Sequence, residues 1–217
     1  MNFEQARANM IENQIRPAGV LDQRVLDLLY RVRREDFVPA AYREYAFADM
    51  GIPLGNGAAM LSPKLEARIV QELAIKAGDR ILEVGTGSGY VTAVLAGLGA
   101  HVYSVEIVPK LSRDAGARLA GCGITNVTLE IGDAARGWDK HVPYDAIVIG
   151  GSLPILPPEF ERSLNSGGRM FVVVGDPPAM RAKLITRLSN SAYRSTGLFE
   201  TSIPVLRNAP QPERFEF

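Results

Sequence analysis

The sequence has few of the residues that build disulfide scaffolds and zinc sites, with one cysteine and two histidines among 217 residues. Cys122 has no partner for an internal disulfide, and His101 and His141 fall short of the usual His and Cys ligand set of zinc. We therefore expect neither a disulfide framework nor a metal site.

Net charge is also absent, because 24 Lys and Arg residues balance 24 Asp and Glu residues. Arg31, Arg33 and Arg34 are followed by Glu35 and Asp36, which predicts a charge-balanced surface rather than a nucleic-acid patch. A neutral chain offers no long-range attraction for nucleic acid or an anionic membrane, so neither is expected as a partner.

Long apolar runs are missing as well. No run approaches the roughly 20 residues that span a bilayer, and the first residues lack the apolar core of a signal peptide. We therefore expect a cytoplasmic protein. The 47% content of apolar residues is typical of a globular chain rather than a disordered one.

The first third of the chain, residues 1–77, has the spacing of amphipathic helices. Apolar residues recur at three- to five-residue intervals over residues 3–32, with a break at residues 16–19. The Gly- and Pro-rich segment 51–57 predicts a loop. Ser62 followed by Pro63 predicts the start of another helix, with Ser at the N-cap and Pro at the first helical position. We interpret residues 1–77 as a helical N-terminal extension.

From residue 78 onward, short apolar strands alternate with helical segments. Residues 78–217 therefore predict an α/β core with a doubly wound, mostly parallel, Rossmann-like sheet. The segments 183–188 and 193–203 have no helix between them and predict an antiparallel hairpin at the sheet edge, which completes seven strands. We expect the extension and this core to form one structural unit.

A glycine-rich segment, residues 82–90, joins the first strand of the core to its first helix. It reads Leu-Glu-Val-Gly-Thr-Gly-Ser-Gly-Tyr, and its glycines are Gly85, Gly87 and Gly89. Alternating glycines let the turn pass close beneath a ligand, with the helix N-terminus behind it. The third glycine comes one residue earlier than in a dinucleotide fingerprint, which favours a ligand without a diphosphate. Glu83 can then face the ammonium group of an aminoacyl cofactor.

Two further acidic residues end the next two strands. Glu106 is placed to accept hydrogen bonds from both hydroxyls of a ribose, and Asp133 from the amino group of an adenine. Three carboxylates at the ends of successive strands predict S-adenosylmethionine at the switch point of the sheet. The predicted cofactor-binding residues are Glu83, Val84, Gly85, Thr86, Gly87, Ser88, Gly89, Tyr90, Glu106, Ile107, Gly132, Asp133 and Ala134.

These motifs also carry a family resemblance. Residues 82–90, 105–106, 132–133 and 143–148 resemble the class I S-adenosylmethionine-dependent methyltransferases. Segments 34–39, 46–49 and 52–55 resemble, within them, the protein-L-isoaspartate O-methyltransferase family, and the resemblance covers nearly the whole chain. It implies an enzyme of protein repair that methylates a protein or peptide carboxylate, with the N-terminal extension on the substrate side. A carboxylate is ionised at neutral pH and needs no general base.

The chain departs from that family where the substrate is handled. The family typically reads Thr-Ile-Ser-Gln-Pro before the helix that precedes the glycine strand, and the segment 59–63 here reads Ala-Met-Leu-Ser-Pro. Leu61 takes the place of the family's active-site serine. The catalytic residue is left unassigned, with Ser62 as a candidate whose position also suits a helix N-cap. The resemblance implies the substrate-side residues Asp49, Ala59, Met60, Leu61, Ser62 and Gly150.

Three functions remain open at this stage. The first is carboxyl methylation of isoaspartyl sites in damaged proteins. The second is a methyltransferase of the same fold with another acceptor, such as a small molecule, because Leu61 removes a hydroxyl group and adds apolar bulk. The third is a protein that binds S-adenosylmethionine without catalysis. Loss of one hydrogen bond to a charged group predicts a specificity constant on isoaspartyl peptides that is lower by about ten- to a hundredfold.

Overall fold

The computed structural model of the chain describes residues 2–212, which form a seven-stranded sheet with flanking helices and a separate two-stranded hairpin. The α-helices are α1 (Phe3–Met10), α2 (Gln23–Arg31), α3 (Pro63–Leu73), α4 (Tyr90–Ala96), α5 (Pro109–Gly121) and α6 (Pro158–Arg162). The strands are β1 (Ile52–Gly55), β2 (Ala58–Met60), β3 (Arg80–Val84), β4 (His101–Glu106), β5 (Val127–Ile131), β6 (Tyr144–Leu153), β7 (Leu164–Val174), β8 (Met180–Arg187) and β9 (Tyr193–Thr201).

The large sheet has the strand order β5-β4-β3-β6-β7-β8-β9. Strands β3 to β7 pair in parallel, whereas β8 and β9 pair antiparallel. The predicted fold, a mostly parallel sheet of seven strands closed by an antiparallel hairpin, is therefore confirmed. The chain leaves β3 first toward β4 and later toward β6, so the strand order reverses beside β3. Ligands of open α/β sheets bind at the carboxyl ends of the strands at such a reversal.

One hydrophobic cluster joins the N-terminal helices to the sheet. Leu26 of α2 and Val70 of α3 are buried in the same cluster as Ile81 of β3 and Phe171 of β7. The amphipathic spacing of α2 and α3 thus buries one face of each helix against the sheet. Within residues 2–212, no helix combines the length and apolar character needed to cross a membrane.

The segment 51–57 differs from its prediction, because it forms most of a hairpin rather than a loop. Strand β1 pairs antiparallel with β2 around a turn at Asn56 and Gly57, whose φ angles are 53° and 75°. Asn-Gly is the dipeptide that best tolerates positive φ at both turn positions, so it favours a tight hairpin. The prediction of a loop gave weight to the density of Gly and Pro and overlooked this turn signal.

Candidate active site

The main cleft of the molecule lies at the carboxyl ends of β3, β4, β5 and β6. It holds about 740 Å³ of space, part of it continuous with solvent. Its lining residues are Gly57, Ala58, Ala59, Val84, Gly85, Gly87, Val105, Glu106, Ile107, Val108, Gly132, Asp133, Ala134, Ala135, Gly150, Gly151, Pro204, Val205, Leu206 and Arg207.

The glycine-rich turn forms the floor of this cleft. Gly85, Gly87 and Gly89 all have positive φ, a conformation that side chains rarely adopt. Gly150, in the neighbouring strand β6, is tightly packed, since an added Cβ would lie 3.0 Å from the Val84 carbonyl oxygen. The backbone is therefore exposed to a ligand where side chains would otherwise fill the space.

Glu106 reaches the cleft from the end of β4 and is only 5% exposed. Its Oε2 accepts a hydrogen bond from the Gly87 N–H and its Oε1 accepts one from the Val108 N–H, both at 2.9 Å. Each carboxylate oxygen has about two acceptor sites, so one site on each oxygen remains for a ligand. This two-point arrangement suits a pair of neighbouring hydroxyl groups, and the ribose role of Glu106 stays a prediction.

Glu83 lies behind the glycine turn and is 2% exposed. The hydroxyl groups of Ser104 and Thr92 donate to its Oε2. Because Ser104 uses its only proton toward Glu83, the 2.6 Å contact between Ser104 and Thr86 requires Thr86 to donate. Burial raises the pKa of Glu83 to about 7, although the hydroxyl donors act against the rise. The pKa of Glu83 therefore lies near neutral pH, and a nearby cation would lower it.

Asp133 follows β5 and is held from two sides. Its Oδ1 accepts from the Ala135 N–H at 3.0 Å, and its Oδ2 accepts from the side-chain amide of Asn208 at 2.8 Å. Beside it, the Trp138 ring packs against Gly132, at a position where any side chain would collide with it. Trp138 thus has a packing role in this corner of the site.

A C-terminal segment that the sequence pattern did not predict forms one wall of the main cleft. The Ser152 N–H donates to the Pro204 carbonyl and the Leu206 N–H donates to the Ser152 carbonyl, both at 2.9 Å. The Arg207 guanidinium then donates to the carbonyl oxygen of Asn56 in the β1–β2 turn. The tail and the hairpin meet over the cleft through this contact. Neither segment has a periodicity that would indicate such a role.

An inner pocket adjoins the main cleft and shares Ala59, Gly85, Gly87 and Gly150 with it. It encloses about 430 Å³, and no Lys, Arg or His side chain lines it among the residues that the structure describes. Its lining residues are Ala59, Met60, Leu61, Glu66, Ile69, Glu83, Gly85, Thr86, Gly87, Ser88, Val91, Val148 and Gly150. A ligand in the main cleft would thus have its inner end beside a second chamber, which combines apolar side chains with the carboxylates of Glu66 and Glu83.

Arg34 fixes the wall of the inner pocket from behind. It is fully buried, not on the surface as the sequence predicted, because its Nε donates to Glu66 at 2.9 Å. Its Nη2 donates to the Leu61 carbonyl at 2.7 Å and its Nη1 to the Ala46 carbonyl. Burial raises the pKa of Glu66, and Arg34 opposes that rise. The position of Leu61 is therefore set by a buried ion pair.

Two predicted substrate-side residues lie outside the inner pocket. Ser62 is the N-cap residue of α3, but its side chain makes no capping hydrogen bond within residues 2–212. Asp49 forms an ion pair with Lys64 and borders a shallow outer groove together with Gln14. The substrate roles of Ser62 and Asp49 stay predictions.

Comparisons with known proteins agree on one family. A family model described as Protein-L-isoaspartate(D-aspartate) O-methyltransferase (PCMT) matches residues 5–203. A protein-L-isoaspartate O-methyltransferase of Methylorubrum populi is 38% identical over 203 residues, which cover 93% of this chain and 95% of that protein. The protein of the same name from Gloeobacter violaceus is 36% identical, with 93% of this chain and 99% of that protein covered.

Solved structures agree with this fold. A protein-L-isoaspartate O-methyltransferase superimposes with a TM-score of 0.80 at 25% identity, over 92% of this chain and 65% of that longer chain. A Plasmodium falciparum structure, described as a putative protein-L-isoaspartate O-methyltransferase in complex with S-adenosyl-L-homocysteine, superimposes with a TM-score of 0.78 at 20% identity. The second match covers 95% of this chain and 99% of that one.

Proposed function

The chain belongs to the protein-L-isoaspartate O-methyltransferase family, and we propose that it methylates the free carboxylate of isoaspartyl residues in damaged proteins. It is an enzyme whose cofactor is S-adenosyl-L-methionine. The observation that carries the proposal is that a carboxylate-bordered cleft and an inner pocket meet at Gly85, Gly87 and Gly150. A cofactor in the cleft and an acceptor in the pocket would meet at these glycines.

The residues of the main cleft fit the cofactor. The glycine turn leaves a cradle that a single Cβ at Gly150 would begin to fill, and Glu106 presents free acceptor sites on both carboxylate oxygens. In the proposed arrangement Glu106 holds the ribose, Asp133 holds the adenine amino group, and Glu83 stabilises the ammonium group. When bound, the cofactor supplies an electrophilic methyl group on a sulfonium sulfur. The chain's own contribution is to bind, orient and exclude water.

The acceptor side suits a carboxylate that is already ionised. Helix α3 starts beside Leu61 with Pro63 at its first position, and no side chain of the described residues caps its first turn. Glu66 and Glu83 line the inner pocket and oppose a further negative charge inside it. Uncapped N–H groups and the helix dipole together favour the carboxylate at the helix end instead, beside Leu61. A carboxylate held there needs no general base, so catalysis rests on proximity and orientation.

Leu61 makes this enzyme a weak one toward isoaspartyl peptides in our proposal. Its side chain is buried in the wall of the inner pocket and cannot donate a hydrogen bond to a carboxylate. The hydroxyl group of Ser62 is uncommitted as a cap and is the nearest replacement along the chain. We therefore expect a specificity constant about ten- to a hundredfold below that of a family member with serine at position 61.

The proposal is tested with S-adenosylmethionine labelled in its methyl group. A peptide with one isoaspartyl residue should gain label that alkali releases as methanol, whereas the same peptide with ordinary aspartate should not. Leu61→Ser should raise the specificity constant for the isoaspartyl peptide. Methyl transfer to a small molecule but not to the isoaspartyl peptide, or cofactor binding without any transfer, would contradict the proposed substrate.

A further inference from the structure

The segment 203–209, which we call the strap, crosses the open side of the main cleft. Ile203 and Ala209, at its two ends, are buried, and the backbone of Ser152 holds the strap between them through hydrogen bonds to Pro204 and Leu206. The path of the strap is thus fixed by its backbone and its buried ends. Two side chains between the anchors add further contacts, that of Arg207 with the Asn56 carbonyl and that of Asn208 with Asp133.

Asn208 occupies a special position in the strap. Its φ is 58°, a conformation in which asparagine is enriched several-fold over most residues, and the Ala209 N–H donates to the Leu206 carbonyl at 3.1 Å to close the turn. From this turn the side-chain amide donates to Oδ2 of Asp133 at 2.8 Å. Nothing else in the strap contacts Asp133 by a hydrogen bond within residues 2–212.

We propose that Asn208 is a positioning residue for the base of the cofactor, which it serves through Asp133. Asn208 and the Ala135 N–H each use one acceptor site of Asp133 and hold its carboxylate in one orientation. The remaining acceptor sites then face the cleft that Asp133 lines. In that orientation Asp133 accepts from a 6-amino purine and disfavours a 6-oxo purine, which has no donor there. The inference rests on the proposed placement of adenine beside Asp133.

The experiment compares two ligands by calorimetry, S-adenosyl-L-homocysteine and S-inosyl-L-homocysteine, which differ at the 6-substituent of the purine and at the adjoining N1, protonated only in the inosyl ligand. Asn208→Gly removes the amide but keeps a residue that tolerates positive φ. Asn190→Gly is the control, because Asn190 is exposed in the turn between β8 and β9, away from the main cleft, and its side chain makes no hydrogen bond in the described part of the chain. Thermal melting of each variant without ligand reports whether the fold is intact.

We expect Asn208→Gly to weaken binding of the adenosyl ligand about fivefold, which is the effect of losing one exposed hydrogen bond. The affinity for the inosyl ligand should stay within about twofold of that of the parent. Asn190→Gly should match the parent with both ligands. Asn208→Asp, which sets a second carboxylate against Asp133, should weaken the adenosyl ligand more than Asn208→Gly does. Asp133→Ala should abolish the preference for the adenosyl ligand.

The remaining outcomes overturn the inference in distinguishable ways. If Asn208→Gly keeps the full preference while Asp133→Ala loses it, Asn208 has no positioning role and the placement of adenine stands. Equal weakening of both ligands by Asn208→Gly would indicate a general effect of the strap and would overturn the inference as well. If Asp133→Ala also keeps the preference, adenine does not lie beside Asp133. A parent protein that binds neither ligand contradicts the proposed function itself.

Discussion

Replacement of Glu83 by glutamine should change how cofactor affinity depends on pH. Burial raises the pKa of Glu83 from 4.5 to about 7. Ionising this carboxyl in the ligand-free protein therefore costs about 3 kcal/mol more than ionising an exposed glutamate. A bound ammonium group beside Glu83 would favour the ionised form and return the pKa toward its ordinary value. The protein must then release a proton when the ligand binds below pH 7.

The size of the effect follows from the ionised fraction of Glu83 in the free protein. With a pKa of about 7, that fraction rises from about 0.1 at pH 6 to about 0.9 at pH 8. The affinity for S-adenosyl-L-homocysteine should therefore rise about tenfold over the same range. Calorimetry in buffers of different ionisation enthalpy measures both the affinity and the proton release.

The same shift makes a prediction about stability. The folded pKa lies above the unfolded value, so the folded protein binds more protons between pH 4.5 and pH 7. The contribution of Glu83 to the free energy of unfolding therefore falls by about 3 kcal/mol as pH rises through this range, and it is constant above it. In Glu83→Gln, whose side-chain carbonyl can still accept from Ser104, this fall should disappear.

Glu200→Gln is the matched control, because it removes a carboxylate that is exposed on β9 at the far edge of the sheet. It should keep the pH dependence of the parent in both measurements. A parent whose affinity is flat between pH 6 and pH 8, or a Glu83→Gln variant that keeps the tenfold rise, would refute the assignment of Glu83 to the ammonium group.

Three further substitutions test other parts of the site. Glu106→Ala should weaken binding of S-adenosyl-L-homocysteine about thirtyfold in calorimetry, a loss of about 2 kcal/mol. An unchanged affinity would show that Glu106 does not contact the cofactor. Gly150→Ala should weaken binding by pushing the Val84 carbonyl and the glycine turn apart, whereas Gly78→Ala, with open space around its Cβ within the described residues, should bind normally. Ser62→Ala should leave the melting temperature unchanged, because its side chain makes no capping bond in the described structure, while a fall in turnover would indicate substrate contact.

The cofactor side of the site was predictable because its signals are local in the sequence. The glycine motif and Glu106 stand at the ends of strands whose apolar pattern is clear, and parallel strands bring their carboxyl ends to one edge. The same rule predicted Asp133, which comes just after the end of β5. The structure places Gly85, Gly87, Glu106 and Asp133 on the main cleft.

The parts that sequence reasoning missed depend on contacts between distant segments. Arg34 lies in a charged stretch typical of a surface, and only its contacts with Glu66 and Leu61 explain its burial. The strap is likewise held by Ser152, far away in the chain, through an isolated bridge that leaves no periodic pattern. The hairpin turn at Asn56 was detectable from its Asn-Gly dipeptide, which the Gly and Pro content around it obscured.

A crystal structure of the complex with S-adenosyl-L-homocysteine is the most direct test of the proposed site. Our account predicts the ribose hydroxyls within hydrogen-bond distance of Glu106, the adenine amino group beside Asp133, and the ammonium group on the side of Glu83. The homocysteine sulfur should face the inner pocket at Leu61. A ligand bound outside the main cleft, or a ribose held by a residue other than Glu106, would contradict the account.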